Sequence, residues 1–192
     1  MSLQARLQEL RKDLLNPEGP AISTNKSYPF AIFQYKPSEE FEARSQIGLL
    51  ANELHLKSWR VKTIDLFEVL MDFLKNHEDG DLTSLIIEEE KLQFEAHKDW
   101  KFSLDSLSNV LSPFFTSVNG YPEKVHGMIQ EAAIDSDPNH TVVFLTRIGS
   151  LYPFYRTSSL LRFLDTGVKV PTIILYPGIK QDQHYLSFMG VM

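Results

Sequence analysis

Hydrophobic residues recur along this chain with two different spacings, and each spacing predicts one type of element. At the N-terminus, leucines at every third or fourth position predict one apolar face of a helix over 2–15, which Pro17 and the Gly19-Pro20 pair would end. The leucines of that face are Leu3, Leu7, Leu10 and Leu14.

Four other runs are rich in β-branched and aromatic residues, which is typical of strands. The runs are PFAIFQY (29–35), WRVKTID (59–65), TVVFLT (141–146) and VPTIIL (170–175). A helix of about 18 residues fills the gap between the first two, and such a connection suits a parallel crossover and is too long for a hairpin.

That first crossover helix has a recognisable start. Ser38 is its predicted N-cap, and the acidic residues Glu39, Glu40 and Glu42 suit the positive end of the helix dipole. Its predicted apolar face contains Phe41, Ile47 or Gly48, Leu50, Ala51 and Leu54. After the second strand, LFEVLMDFLKNH (66–77) predicts a strongly apolar helix.

The segment 78–138 is mainly helical and acidic, and its pattern leaves alternatives open. Residues 81–100 fit either one helix or a helix broken near Phe94, and residues 103–115 predict a helix that ends at Pro113. Pro122 suits the first residue of a further helix.

The alternation of strands and helices predicts an α/β fold, a three-layer sandwich with a mostly parallel sheet. Such a scaffold is Rossmann-like or P-loop-like, here without a Walker A motif. We expect one domain over 1–192, with an N-terminal helix and loop (1–27), a first β-α-β-α unit (28–77), the helical acidic segment (78–138) and a C-terminal strand-helix-strand unit (139–192).

Polar and turn-forming residues follow the predicted strands directly. They are Lys36, Asp65, Thr146-Arg147 and Tyr176-Pro177-Gly178. Because ligand sites of parallel sheets form outside the carboxyl ends of the strands, these residues should share one edge if the strands are parallel.

Composition excludes several kinds of site. The 192 residues include no cysteine, which rules out disulfides, zinc-thiolate sites and cysteine nucleophiles. The net charge is −6, distributed as about −9 over 1–140 and +3 over 141–192, and this balance argues against direct binding of nucleic acid. No run approaches the ~18 to 20 apolar residues of a membrane span, so we expect a soluble cytoplasmic protein.

The stretch VFLTRIGSLYPFYRTSSLLRFL, followed by VPTIILYPG and LSFMG, resembles the BrxB family of bacteriophage exclusion (BREX) defence systems. The family pattern is carried by Gly149, Pro153, Arg156, Ser159-Leu160-Leu161, Tyr176-Pro177-Gly178 and Leu186 to Gly190, where Met189 intrudes between Phe188 and Gly190. PFAIFQYKP and DLFEVLMDFL are similar to the family more loosely, and the acidic middle does not align.

The resemblance implies a component of a multi-protein phage defence system. It implies association with other BREX proteins, for example the alkaline-phosphatase-like PglZ, and it supplies no catalytic residues. Family members usually continue beyond the position of Met192 with a short aromatic and basic tail. Partner identity and oligomeric state are left open.

Catalytic patterns are weak in this chain. No phosphate-binding loop follows the first strand, because YKPSEEF places proline and acids where glycine and lysine are required. The nearest nuclease-like set is Asp79 or Asp81 with Glu89 and Lys91, which is more simply a solvated helix surface. The six histidines do not have the spacing of metal ligands. Since none of these catalytic or metal-binding patterns is convincing, we expect no metal, no cofactor and no enzyme activity.

Arg156 allows two interpretations. It could receive a carboxylate or phosphate from a partner, or it could pair internally with Asp65 or Glu68, and an arginine held in a structural ion pair is the more common case. Gly149, Gly178, Pro153 and Pro177 are predicted to shape two turns.

Tyrosine and arginine are enriched at interaction hot spots, and several of them cluster in the C-terminal part of the sequence. We therefore expect a non-catalytic assembly module whose partner surface contains Arg147, Tyr152, Tyr155, Arg156 and Tyr176. The alternative function is a phosphate- or nucleotide-handling enzyme, including a Mg²⁺-dependent nuclease, that uses the same edge. The assembly hypothesis predicts that Arg147→Glu with Tyr152→Ala weakens partner binding without loss of stability.

Overall fold

A computed structural model describes residues 2–22, 30–164, 167–182 and 185–188. Helices and strands alternate in the predicted manner. The helices are α1 (Leu3–Leu14), α2 (Glu40–Leu56), α3 (Leu66–Lys75), α4 (Leu82–His97), α5 (Trp100–Thr116), α6 (Tyr121–Ala133) and α7 (Thr157–Leu164). The strands are β1 (Phe30–Tyr35), β2 (Arg60–Asp65), β3 (Thr141–Thr146), β4 (Thr172–Asp182) and β5 (Tyr185–Phe188).

Four of the strands form a parallel sheet in the order β1-β4-β3-β2. The prediction of a parallel sheet is confirmed. The two strands joined by α2 are not neighbours, because β4 and β3 lie between them, and the helix therefore crosses the full width of the sheet. The other crossovers, from β2 to β3 and from β3 to β4, join adjacent strands.

Alternation along β3 explains the three layers. Val142 and Phe144 point to one face of the sheet, where they join the core formed by α1 and α2. Val143 and Leu145 point to the other face and join the core formed mainly by α3, α5, α6 and α7. Since successive side chains of a strand point to opposite faces, a continuous apolar run is what a strand covered by helices on both sides requires.

Two predictions for the start of α2 are wrong. A short 3₁₀ turn over Pro37–Glu39 precedes the helix, and the carboxylate of Glu39 accepts the backbone N–H of Lys36 at 3.0 Å, so that Ser38 does not cap the helix. Phe41 is 83 % exposed and lies outside the apolar face. The buried residues of α2 are Ala43, Ile47, Leu50, Ala51 and Leu54.

The acidic segment begins with two consecutive helices, α4 and α5. The break falls at Lys98, which adopts the left-handed conformation, and not at Phe94. Pro113 does not end α5, because the helix continues to Thr116 and the proline removes only one backbone donor near the helix end. None of the residues of α4 is buried, whereas α5 buries Leu111 and Phe115 close to its C-terminus.

The predicted turn at Tyr176-Pro177-Gly178 is a strand. β4 passes through Pro177, which is in register with Tyr35 of β1, and Gly178 pairs with Phe188 of the antiparallel β5. The neighbouring β3 has ended at this level, and a proline is tolerated where a strand has lost a neighbour on one side. Residues 189–192, which include the end of the LSFMG motif, lie outside the described residues.

Across the part of the chain that the structure describes, no helix is both long and apolar enough to cross a bilayer.

Candidate interaction site at the carboxyl edge of the sheet

The strand registers bring the predicted polar residues to one edge. Tyr35 is aligned with Pro177, and Asp65 is aligned with Thr146. Because all four strands run in the same direction, the residues that follow them, Lys36 and Arg147 among them, lie at the carboxyl edge together. The expectation of a shared edge is confirmed.

Asp65 is the central polar residue of this edge. Its Oδ1 accepts the backbone N–H groups of Phe67 at 3.1 Å and Glu68 at 3.0 Å, which makes it the N-cap of α3. Its Oδ2 lies 3.5 Å from Nη1 of Arg147 and 3.9 Å from Nη2 of Arg44. One carboxylate thus caps a helix and balances two guanidinium groups.

Arg147 is held by contacts within the protein. It adopts the left-handed conformation (φ 56°, ψ 31°) directly after β3, and its guanidinium lies 4.5 Å from the centroid of the Phe67 ring. The internal pairing with Asp65 that was considered for Arg156 therefore belongs to Arg147. Gly149 lies in the 3₁₀ turn over Ile148–Leu151 that follows Arg147.

A cleft of about 580 Å³ adjoins Asp65. It lies between the start of α2 and the ends of β2 and β3, and its lining includes Phe41, Arg44, Thr63, Glu68 and Thr146. Two basic and two acidic side chains border this part of the edge, so its charges largely balance. Glu68 is exposed here, and its backbone N–H, not its carboxylate, is what contacts Asp65.

Arg156 occupies a different cleft, which we call the Arg156 cleft. It has a volume of about 320 Å³ between α5, the start of α6 and α7. Its lining residues are Ser112, Phe115, Thr116, Ser117, Pro122, Phe154, Tyr155, Arg156, Ser159 and Phe163. Arg156 is exposed, and its guanidinium forms no ion pair with any residue described in the structure.

The predicted tyrosines differ in accessibility. Tyr152 is 46 % exposed next to the cis Tyr152–Pro153 peptide bond. Tyr155 is half-buried and stacks on Phe115, with ring centroids 4.6 Å apart and planes 10° apart, and burial raises the pKa of its phenol to about 12. Tyr176 is 7 % exposed, so it is part of the core and offers almost no surface to a partner.

A buried tyrosine and a glutamate connect β1 to α2 at the same edge. The hydroxyl of Tyr35, which is fully buried, donates a hydrogen bond to Glu40 Oε2. Burial, followed by the hydrogen bond to Glu40, raises the pKa of Tyr35 strongly above its ordinary value. The other carboxylate oxygen, Glu40 Oε1, is buried without a hydrogen-bond partner among the described residues.

Three contributors were missed at the sequence level. They are Arg44, Phe67 and Phe115. A helix that follows a parallel strand begins at the carboxyl edge, so the position of Arg44, in the second turn of α2, could have been predicted from the sequence. The contacts of Phe67 and Phe115 depend on the packing of α3 and α5, which the local pattern does not contain.

The nuclease-like set is spread over solvated positions. Asp81 caps α4 by accepting the N–H of Thr83 at 2.9 Å, Asp79 lies 3.4 Å from His77, and the exposed Glu89 accepts a hydrogen bond from Gln93. Within residues 2–22, 30–164, 167–182 and 185–188, no three His, Asp or Glu side chains are grouped in a way that could hold a metal ion.

Comparison with known proteins identifies the family. The chain is 27 % identical over 173 residues to a BREX protein BrxB of Bacillus cereus (strain H3081.97), an alignment that covers 83 % of this chain and 81 % of the relative. No solved structure matches. The family model for BREX protein BrxB matches residues 62–192, including the acidic segment that could not be aligned by motif. Since this match covers more than half of the chain, the protein belongs to the BrxB family of the BREX phage defence systems.

Proposed function

We propose that the protein is a non-catalytic assembly module of its BREX system, and that it docks an acidic segment of another BREX protein in the Arg156 cleft. The observation that carries this proposal is the exposed guanidinium of Arg156, which is unpaired among the described residues and stands beside hydroxyl groups and a stacked aromatic pair. An arginine fork of this kind binds a carboxylate through two parallel hydrogen bonds.

The composition of the cleft suits a protein partner. Ser112 and Ser159 place hydroxyl groups around Arg156, and the Tyr155–Phe115 stack supplies an apolar wall. Tyr152, nearly half exposed a few residues earlier in the chain, is of a residue type that is enriched at binding hot spots.

The start of α2 favours assembly over phosphate chemistry. In a phosphate-binding loop, free backbone N–H groups at a helix N-terminus hold the anion. Here the chain's own carboxylates occupy that place, because Glu39 accepts from the N–H of Lys36 and from Arg6, and Glu40 accepts from Tyr35. A nucleotide phosphate would meet these negative charges first.

The test is co-expression of the tagged protein with each other protein of its BREX system, starting with PglZ, followed by measurement of Kd for any complex. We expect Arg156→Glu with Tyr152→Ala to weaken the complex at least tenfold, because the fork is lost and a repelling charge replaces it. Arg162→Glu, the same charge change on an exposed arginine of α7, is the matched control and should leave Kd within about twofold.

Arg147 is unsuitable for this test, because glutamate there would face Asp65 and disturb the domain itself. Failure of every BREX protein to bind would contradict the assembly role. Binding that ignores the Arg156 variant would place the contact elsewhere. A nucleotide with Mg²⁺ that raises stability by ~2.7 kcal/mol at 100 times its Kd would favour the phosphate-handling alternative.

A further inference from the structure

The helices α4 and α5, with the loop before them, account for the net charge of the protein. Residues 78–116 contain nine acidic and three basic residues, a net charge of −6, and the remaining residues contain 16 of each sign and are neutral in sum. Negative charge is therefore concentrated on one part of the molecule, where it can steer a basic partner.

The same two helices expose large apolar side chains. Leu85, Ile87, Leu92, Phe94, Trp100, Phe102 and Val110 are all more than a third exposed, and Trp100 is 68 % exposed. These seven residues belong to α4 and α5, and α4 buries none of its residues. Singly exposed apolar residues are normal, but three of the seven, Ile87, Phe94 and Trp100, border the same opening between the two helices, and grouped exposed apolar side chains mark an interaction surface.

Part of this surface is an apolar groove of about 770 Å³ between the helices, which we call the α4–α5 groove. It is lined by Ile86, Ile87, Glu90, Lys91, Phe94, Glu95, Trp100, Ser103, Leu104 and Leu107. Trp100, Leu104 and Leu107 recur at helical spacing, as do Ile87 and Phe94 on the opposite wall. Ile86 and Leu107 also contact the main core, so a helix laid in the groove would extend that core.

Polar atoms of the groove lack partners. Glu90 Oε1 and Ser103 Oγ are both shielded from solvent and form no hydrogen bond within the described part of the chain. A carboxylate oxygen without a donor is costly in such a place.

The chain's own Lys98 illustrates the chemistry that suits the groove wall. Its ammonium forms an ion pair with Glu95 and lies 5.9 Å from the centroid of the Phe94 ring. A cation is thus accommodated over an aromatic ring beside a carboxylate.

We propose that the α4–α5 groove binds an amphipathic helix of a partner protein, whose apolar stripe fills the groove and whose flanking lysines or arginines meet Glu90 and Glu95. The proposal goes beyond the assembly role of the Arg156 cleft, because it names a second surface and does not depend on the first. Two separate surfaces are what a module that holds two partners together requires.

Charge favours a basic partner over a second copy of this chain. Two copies that met through this groove would bring two segments of net charge −6 together, which is unfavourable at physiological salt. An apolar helix with basic flanks gains the same burial without that repulsion.

The test uses a fluorescently labelled, helical Leu/Lys peptide of about 18 residues and a counterpart in which every lysine is glutamate, both titrated with the full chain. We expect the lysine peptide to bind at least tenfold more tightly than the glutamate peptide, and to weaken as salt rises because the charges are exposed. Phe94→Asp should weaken lysine-peptide binding at least tenfold. Leu56→Asp, at an 88 % exposed leucine of α2 outside the groove, should leave it unchanged.

Circular dichroism of both variants establishes that they are folded, and Glu90→Gln with Glu95→Gln provides a second, milder probe that should weaken binding without adding a charge. Equal binding of the two peptides, or binding that all these variants leave unchanged, overturns the proposal. Sedimentation that shows a dimer, lost in Phe94→Asp, overturns it as well, because the occupant would then be a second copy.

Discussion

The α/β body, by which we mean the sheet with the helices other than α4 and α5, differs from the α4–α5 helix pair in how far its polar and apolar groups are buried or paired. In the body, β3 is buried on both faces and the edge carboxylate Asp65 is used by a helix cap and two arginines. In the pair, α4 buries nothing and the segment 78–116 has a net charge of −6. The body buries its apolar strand and pairs its central carboxylate internally, whereas the pair leaves large apolar side chains and most of the net negative charge exposed.

The largest expected difference concerns one substitution made in both regions. Leu145→Ala, in the fully buried middle of the sheet, removes contacts on a face that cannot collapse, and it should cost about 2–5 kcal/mol of unfolding free energy. Leu92→Ala, at a 66 % exposed position of α4, should change it by less than about 0.5 kcal/mol. Urea denaturation of both variants measures the two values.

A Leu92→Ala variant that loses as much stability as Leu145→Ala would contradict the contrast between a buried body and an exposed helix pair. That result would mean that α4 is covered at Leu92 in solution, although this residue is 66 % exposed in the structure. A variant that is as stable as the parent keeps the pair available as a surface.

Two substitutions of Asp65 distinguish its role as the N-cap of α3 from its role as the charge opposite Arg147, and both should change stability less than Leu145→Ala does. Asp65→Ala removes both the α3 cap and the charge opposite Arg147, and we expect a loss of about 2 kcal/mol. Asp65→Asn keeps a capping oxygen and removes only the charge, so its cost should stay below about 1 kcal/mol, because the ion pairs are long and partly exposed.

The same denaturation measurement decides between these roles. If Asn costs as much as Ala, the negative charge and not the cap is what the edge needs. The carboxyl edge would then resemble the α4–α5 pair in its dependence on charge, and the contrast between the two regions would weaken.

The predictable part of the fold is the part whose signal is local and periodic. The continuous apolar run of β3 and the leucines of α1 indicate their elements directly, because burial on two faces or on one helical face imposes those patterns. The parallel sheet followed from the long crossover between β1 and β2. The order of the strands did not, because no local pattern records which strands become neighbours.

Two of the wrong predictions share a physical cause, since each assigned to a residue what its tertiary partners decide. Pro177 was placed in a turn, yet β1 continues alongside it and keeps the backbone extended. Arg156 was considered as a partner of Asp65, but the register of β2 and β3 gives that position to Arg147. Phe41 was assigned to the core because the 3₁₀ turn that shifts the start of α2 leaves no signal in the sequence.

The body and the pair meet at Tyr121, at the start of α6. Its hydroxyl donates a hydrogen bond to the carbonyl of Leu66 at 2.7 Å, and its ring lies edge-on to Phe115 of α5 with centroids 5.5 Å apart. Tyr121 is fully buried, and this burial raises the pKa of its phenol well above the usual value of 10.0. The anchor of the pair therefore depends on a phenol that must stay protonated.

The effect expected for Tyr121→Phe is smaller than that of Asp65→Ala, and it depends on pH. Below pH 10 the phenol is neutral in both the folded and the unfolded chain, so the variant should lose only the hydrogen bond, about 1 kcal/mol. Above pH 10 the unfolded chain of the parent ionises at Tyr121 while the folded chain does not, so the parent loses stability by up to ~1.4 kcal/mol per pH unit from this group. The variant lacks that loss, and the two stability curves should converge as pH rises. Denaturation midpoints measured between neutral pH and pH 11 give both curves. Curves that stay parallel would mean that water reaches Tyr121 in the folded protein, and that α5 is held to the body more loosely than these contacts imply.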